Sequence, residues 1–207
     1  MTKILVTGGS GLLGQELVKH FDLVFAPNHQ DFDITKKLPK LQFDLIIHAA
    51  AYTNTKRAEK EGKKDCQKVN IDGTLNLLRT YPNVPFVFIS SEYAMKPINF
   101  YSATKTVGEL LTQVFAKPGL IIRTAFKPRP WPWGMAFGDQ FTRADYVDVI
   151  AKLIAEEIKK WNRKTSKTVH VGTKRKTMYQ LAKQTRPDVE MNNIKDVKGV
   201  CIQADYK

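Results

Sequence analysis

Residues 3–14 constrain the chain more than any other stretch. Lys3-Ile4-Leu5-Val6-Thr7 is a short apolar, β-branched run that reads as a buried strand. Gly8-Gly9-Ser10-Gly11-Leu12-Leu13-Gly14 follows without a gap. Leu12, Leu13, Leu17 and Val18 then recur at helical spacing, so a helix begins near Gly11. A strand, a tight glycine turn and a helix N-terminus in that order make an anion site. Backbone N–H groups and the positive end of the helix dipole face the anion, and the glycines let it come close. The glycines fit two spellings, Gly9-x-Gly11-x-x-Gly14 and Gly8-x-x-Gly11-x-x-Gly14. A glycine turn with a purely structural role is the alternative. The placement between strand and helix favours a phosphate cradle.

Length allows one domain with a sizeable core, and the 43% hydrophobic content is ordinary for a globular chain. No run is long enough to span a membrane, and Ile4-Leu5-Val6 is too short for a secretory apolar segment. The cytoplasm is the expected compartment. Cys66 and Cys201 make no disulfide framework, and His20, His29, His48 and His170 do not cluster, so no metal site is expected. Net charge is +13, with lysines concentrated in 56–68 and 159–176. Solvated helix faces are one reading of these lysines, and attraction of an anionic small molecule is another. No zinc finger or RNA-binding motif supports a nucleic-acid partner.

Further along, Phe21–Ala26 reads as a second strand ended by Pro27. An acid at its end would bind a ribose 2′-OH and repel a 2′-phosphate. Asn28-His29-Gln30 stands there instead, so the cofactor reading leans to NADP(H) over NAD(H). Asp33, before Ile34 and Thr35, either bonds adenine or opens a turn. Leu41–His48 reads as a third strand running into Ala49-Ala50-Ala51-Tyr52-Thr53, where small residues let a flat ligand pass close to the backbone. A basic amphipathic helix follows. Its Asn70 bonds a strand inside the core or is simply exposed.

Val84–Ile89 reads as the fourth strand, leading into Ser90-Ser91-Glu92-Tyr93. Tyr101 and Lys105 then sit at i and i+4 of a helix, on one face. An ammonium near a phenol favours the phenolate and lowers a pKa that starts near 10. Such a tyrosine can exchange a proton with an oxygen whose carbon exchanges a hydride. Ser91 is placed to hold a carbonyl, and Lys105 to reach a cofactor ribose. Leu120–Thr124 is the expected fifth strand. The Pro- and Trp-rich stretch 126–141 cannot be a regular helix. It is either a substrate lid using Trp131 and Arg129 or a packed irregular loop. A helix over Arg143–Lys160, a strand over 169–171 and a short helix over Met178–Lys183 complete the reading.

These strands and helices alternate as in a doubly wound, Rossmann-type α/β parallel sheet. The pattern resembles the extended short-chain dehydrogenase/reductase family and, within it, the dTDP-4-dehydrorhamnose reductases. The carrying stretches are Val6–Gly14, Asp33-Ile34-Thr35, His48–Thr53, Val69-Asn70-x-x-Gly73-Thr74, Ile89–Tyr93, Tyr101-x-x-x-Lys105 and Arg123-Thr124. The resemblance implies that Tyr101 is the general acid, Lys105 its partner and ribose ligand, and Ser91 the carbonyl-orienting hydroxyl. It implies a cofactor lying along Gly8, Ser10, Gly11, Leu12, Leu13, Gly14, Asn28, His29, Asp33, Ile34, Ala49, Ala50, Ala51, Tyr52 and Asn70. Thr53, Ser91, Glu92, Tyr93, Arg129 and Trp131 are the expected substrate contacts. Residues 1–207 are expected to form one NAD(P)-binding domain, with 126–207 as a small substrate-binding part, shorter than the family's usual one. Tyr93 stands where related dehydratases carry a catalytic Glu, which argues against dehydration. The implied activity is NAD(P)H-dependent reduction of a nucleotide-4-keto-sugar. The alternatives are an epimerase of the same fold and a non-catalytic regulatory protein. A homodimer stays open.

Overall fold

The computed structural model describes residues 2–194. Five short apolar runs become parallel strands: β1 (Ile4–Thr7), β2 (Val24–Phe25), β3 (Leu45–His48), β4 (Phe86–Ser91) and β5 (Gly119–Thr124). A sixth, β6 (Lys167–Val171), adds to the far edge, giving the order β6-β5-β4-β3-β1-β2. The chain leaves β1 for β2 on one side and returns to β3 on the other. The C-terminal ends of β1 and β3 therefore flank the switch point, where ligands of open α/β sheets bind.

Both faces of the sheet are covered, which is why its strands read as nearly continuous apolar runs. Ile4, Val6, Ile47, Val87, Ile89, Leu120 and Ile122 point to one face. They meet Leu13 and Leu17 of α1 (Leu12–Val18) and Val147, Ile150, Ile154 and Ile158 of α6 (Val147–Lys160). Leu5, Ile46, Phe86, Phe88 and Ile121 point the other way, against Phe32, Ile34, Leu77, Leu78 and Tyr81. Each such buried side chain contributes about 1.5–3 kcal/mol relative to exposure.

The basic segment after Thr53 is not one helix. It is α2 (Thr55–Ala58), α3 (Lys63–Gln67), a wide π-turn over Lys68–Gly73 and α4 (Thr74–Thr80). Beside it on the same face lies α5 (Phe100–Phe115), opened by a capping box in which Asn99 Oδ1 accepts from Ser102 N at 2.8 Å.

Several expected boundaries shift. The second strand shrinks to Val24–Phe25 at the sheet edge, where only one neighbour supports it. The third begins at Leu45, because the Asp44 carboxylate is held by the Lys3 amide at 2.7 Å. The helix expected from Arg143 starts at Val147, since Asp145–Tyr146 pairs with Phe126–Lys127 as a short parallel ladder. Met135–Phe137 pairs with Glu190–Asn192, and Phe141–Thr142 with Lys176–Thr177. These pieces and α7 (Met178–Lys183) close a small third core of Trp131, Ala136, Tyr146, Met178, Leu181, Ala182 and Val189. Cys201 lies outside the described residues. No helix among the described residues is long and apolar enough to cross a membrane.

Candidate active site

The glycine turn at the end of β1 is shaped by two close approaches. Gly8 has φ +75, a region that disfavours side chains, and its absent Cβ would lie 2.6 Å from the Ala50 amide nitrogen. A Cβ on Gly14 would collide with the Gly8 carbonyl, which already accepts from the Gly11 amide at 2.9 Å. No side chain caps the first turn of α1, so its leading N–H groups remain available to an anion.

At the C-terminal end of β4, the Ser91 hydroxyl accepts from the Tyr93 amide at 3.3 Å and lies beside the Tyr101 phenol, whose ionised form it favours. Lys105, one helical turn on, is only 4% exposed. Its ammonium donates to the Ile89 carbonyl at 2.7 Å and lies 4.3 Å from the Phe88 ring centre. This corrects the electrostatic expectation for the pair. Burial pushes the Tyr101 phenol up to about 12, with Cys66 adding to the rise and Ser91 opposing it. Burial also pulls Lys105 down to about 8. Its charge is committed to a backbone carbonyl on β4, and the phenol stays protonated at neutral pH. The site as built holds a proton donor rather than a phenolate.

The π-turn brings Asn70 inside. Its Oδ1 accepts from the Tyr52 amide at 2.7 Å, while Nδ2 donates to the Tyr52 carbonyl at 3.2 Å and to Thr104 Oγ1 at 2.9 Å. Thr104 Oγ1 in turn donates to the Tyr101 carbonyl at 2.7 Å. Asn70 thus ties the segment after β3 to the helix turn that carries Tyr101. His48, at the end of β3, bridges Thr7 (2.7 Å) on β1 and Thr74 (2.9 Å) at the start of α4.

One cavity of about 700 Å³ joins these parts. Gly8, Ser10, Gly11, Leu12, Leu13 and Gly14 line one end, and His29, Asp33, Ile34, Ala49, Ala50 and Ala51 continue the wall. Thr53, Ser91, Tyr93, Tyr101 and Lys105 line the other end. Six expected residues are absent from that wall. Asn28 closes its own turn, accepting from Gln30 N at 2.8 Å and donating to Asp31 at 2.6 Å. Tyr52 turns its hydroxyl toward Gly62, and Asn70 acts from behind the wall. Glu92 is buried beside it at 6% exposure. Arg129 is taken by Asp148 at 2.9 Å and stacks on Tyr146. Trp131 belongs to the third core, where apolar burial outweighs exposure as a lid. Asp33 opens a turn, its Oδ1 accepting from the Thr35 amide at 2.9 Å, and it also lines the cavity. Sequence reasoning missed Thr124 and Lys127, both in the wall. Thr124 belongs to the Arg123-Thr124 stretch that ends β5, and Lys127 had only its position three residues further on as a signal.

A parallel sheet with a glycine turn at its switch point and a Ser–Tyr–Lys trio beyond the neighbouring strand ends defines a Rossmann-type protein of the extended short-chain dehydrogenase/reductase class. The family described as the RmlD substrate binding domain matches residues 1–127, and the chain belongs to it. A dTDP-4-dehydrorhamnose reductase from Aggregatibacter actinomycetemcomitans is 26% identical over 171 residues, covering 69% of this chain and 55% of that protein. The spore coat polysaccharide biosynthesis protein SpsK of Bacillus subtilis (strain 168) is 27% identical over 154 residues, covering 61% of this chain and 53% of that protein. The chain thus spans about half the length of the curated relatives it matches. The fold is shared with a crystal structure of dTDP-4-dehydrorhamnose reductase from Bacillus anthracis str. Ames in complex with NADP. Its TM-score is 0.82 at 21% identity, covering 95% of this chain and 86% of that one.

Proposed function

We propose that the chain is a nicotinamide-dependent reductase of a keto group on a nucleotide-linked sugar, of the dTDP-4-dehydrorhamnose reductase type. The observation that carries this is that Ser91, Tyr101 and Lys105 line the same cavity as the glycine turn. The cavity fits the cofactor. Gly8 and Gly14 leave no room for a Cβ, so the turn packs tightly against the Ala49-Ala50 backbone and the start of α1, and the first turn of α1 is uncapped by any side chain. Ala49, Ala50 and Ala51 keep the middle of the wall flat. The cofactor, when bound, supplies the hydride.

The chain's residues do the rest. Ser91 orients the substrate carbonyl, and Tyr101 gives its proton to the oxygen as negative charge develops there. Lys105 fixes the end of β4 through the Ile89 carbonyl and takes the cofactor ribose as its second partner. No carboxylate ends β2 aimed at a ribose, because Asp31 is held by Asn28; NADPH is therefore the favoured form over NADH. Tyr93, with no carboxylate, makes a poor dehydration base. The substrate is an anionic small molecule.

The test is a titration of NADPH and NADH against wild type and Tyr101→Phe, followed by NADPH oxidation with a panel of nucleotide-4-keto-sugars. Loss of the phenolic proton should lower turnover by about 10²–10⁴. NADPH affinity should stay within about twofold, a change of under 1 kcal/mol. Equal turnover in the two proteins, or no dinucleotide binding, overturns the reading.

A further inference from the structure

We infer that Lys127 and Thr124 form a recognition site for an anionic substituent, a carboxylate or a phosphoryl group, on the part of the substrate that faces Ser91. The inference deepens the proposed function and rests on its reading of the cavity.

Thr124 ends β5 directly opposite Ser91 in the β4–β5 register, so the two residues are neighbours on the same sheet face. Thr124 is 5% exposed, and its hydroxyl is the one buried side-chain oxygen or nitrogen among the described residues without a hydrogen-bond partner. Such groups are uncommon and costly, and this one lies in the cavity wall. Lys127 follows on the same strand extension and lines the same cavity. Among the described residues its ammonium makes no ion pair and no hydrogen bond; it lies 5.8 Å from the Trp133 ring centre. Its surroundings desolvate it and pull its pKa down, while Glu92 acts to keep it charged. Of the cations around the ends of β4 and β5 among the described residues, three are already engaged, while Lys68 lines the wall beside Asp65. Lys105 is bound to Ile89, Arg123 is paired with Glu109 and Arg129 with Asp148.

A desolvated cation and an orphaned hydroxyl in one wall are unmet demands of complementary kind. A neutral sugar hydroxyl would satisfy Thr124 and leave the ammonium with the Glu92 charge alone and no hydrogen-bond partner. An oxyanion satisfies both, taking a point charge with rotatable donors from Lys127 and one O–H donor from Thr124. The neighbourhood of Ser91 puts that anion on or next to the reacting sugar rather than at the nucleotide end.

Calorimetric titrations of wild type, Lys127→Met, Lys127→Arg and Thr124→Val decide it. Each protein is titrated with and without NADP⁺, using UDP-glucuronate, UDP-glucose and uridine as probes. If the anion is a sugar carboxylate, wild type binds UDP-glucuronate about tenfold tighter than UDP-glucose, and Lys127→Met erases the gap. If it is a phosphoryl group, both nucleotide sugars bind alike and both weaken about tenfold in Lys127→Met, with uridine unaffected. In either case Lys127→Arg keeps most of the affinity, and Thr124→Val loses part of it. Unchanged nucleotide-sugar affinity in Lys127→Met, equal weakening of uridine, or no nucleotide-sugar binding overturns the inference. Failure to bind NADP⁺ counts instead against the proposed cofactor, and the cofactor-free titrations still read the anion site.

Discussion

His48 shows how one side chain can be fixed in both orientation and protonation by its partners. The Thr74 hydroxyl donates to the Asn70 carbonyl at 2.8 Å, so it has only lone pairs to offer His48 Nε2 at 2.9 Å. Nε2 therefore carries the proton, and Nδ1 accepts from the Thr7 hydroxyl at 2.7 Å. Burial, with the Lys105 charge behind it, pulls the His48 pKa down to about 3. A depressed pKa means that the unfolded chain binds the proton more readily between 6.5 and about 3. The neutral ring's contribution is whole above pH 6.5 and is lost as pH falls through that window. Acidifying from about pH 7 to about pH 5 should cost wild type roughly 2 kcal/mol through this residue alone. Urea unfolding of wild type and His48→Gln at both pH values measures it. The variant should lose less stability on acidification, and equal losses would show that folding does not depress the His48 pKa.

At the scale of elements, the π-turn at Lys68–Gly73 decides which way Asn70 faces. A π-turn holds one more residue than a regular helical turn, and here it aims an amide at both the Tyr52 backbone and Thr104. Asn70→Ala should leave the Tyr52 amide without its acceptor and cost about 2 kcal/mol, or roughly 4–8 °C in Tm for a chain of this size. A thermal scan showing less than about 1 °C of change would make the turn, not the side chain, the organiser of this corner. The same element explains what could be read from the sequence. The glycine turn and the Tyr101–Lys105 spacing are local patterns, so residues within a few positions specify them. The parallel strands are legible for a similar reason, since Ile4–Val6, Leu45–Ile47 and Val87–Ile89 are apolar on both faces. Asn70 could not be resolved, because its direction depends on an extra residue in the helix. Trp131 could not be resolved either, because what buries it is α7 and Val189, some fifty positions later. Tyr101 lines the cavity but does not have its expected pKa, because burial outweighs a neighbour four residues away.

For the whole molecule the relevant quantity is charge. Thirty-three Lys and Arg face twenty Asp and Glu, a net +13. The cavity carries part of this, since Lys68, Lys105 and Lys127 line it with Asp33 and Asp65 as its acids. A field of this sign should speed the arrival of a polyanion without tightening its final contacts much, because steering acts over distances that salt screens. NADPH carries one phosphate more than NADH, so the two cofactors sample the same field with different charge. Stopped-flow association of NADPH should slow about tenfold between about 20 and about 200 mM salt, as the Debye length shrinks from some 20 Å to below 10 Å. Dissociation should change far less, because the glycine turn, the α1 N-terminus and the alanine wall act at contact. A steeper salt slope for NADPH than for NADH places the extra phosphate within the field of the cavity's lysines. Equal slopes would mean that the 2′ position points to solvent, and the preference for NADPH would fall. Association insensitive to salt would leave the basic surface to helix solvation alone, which its many exposed lysines also allow.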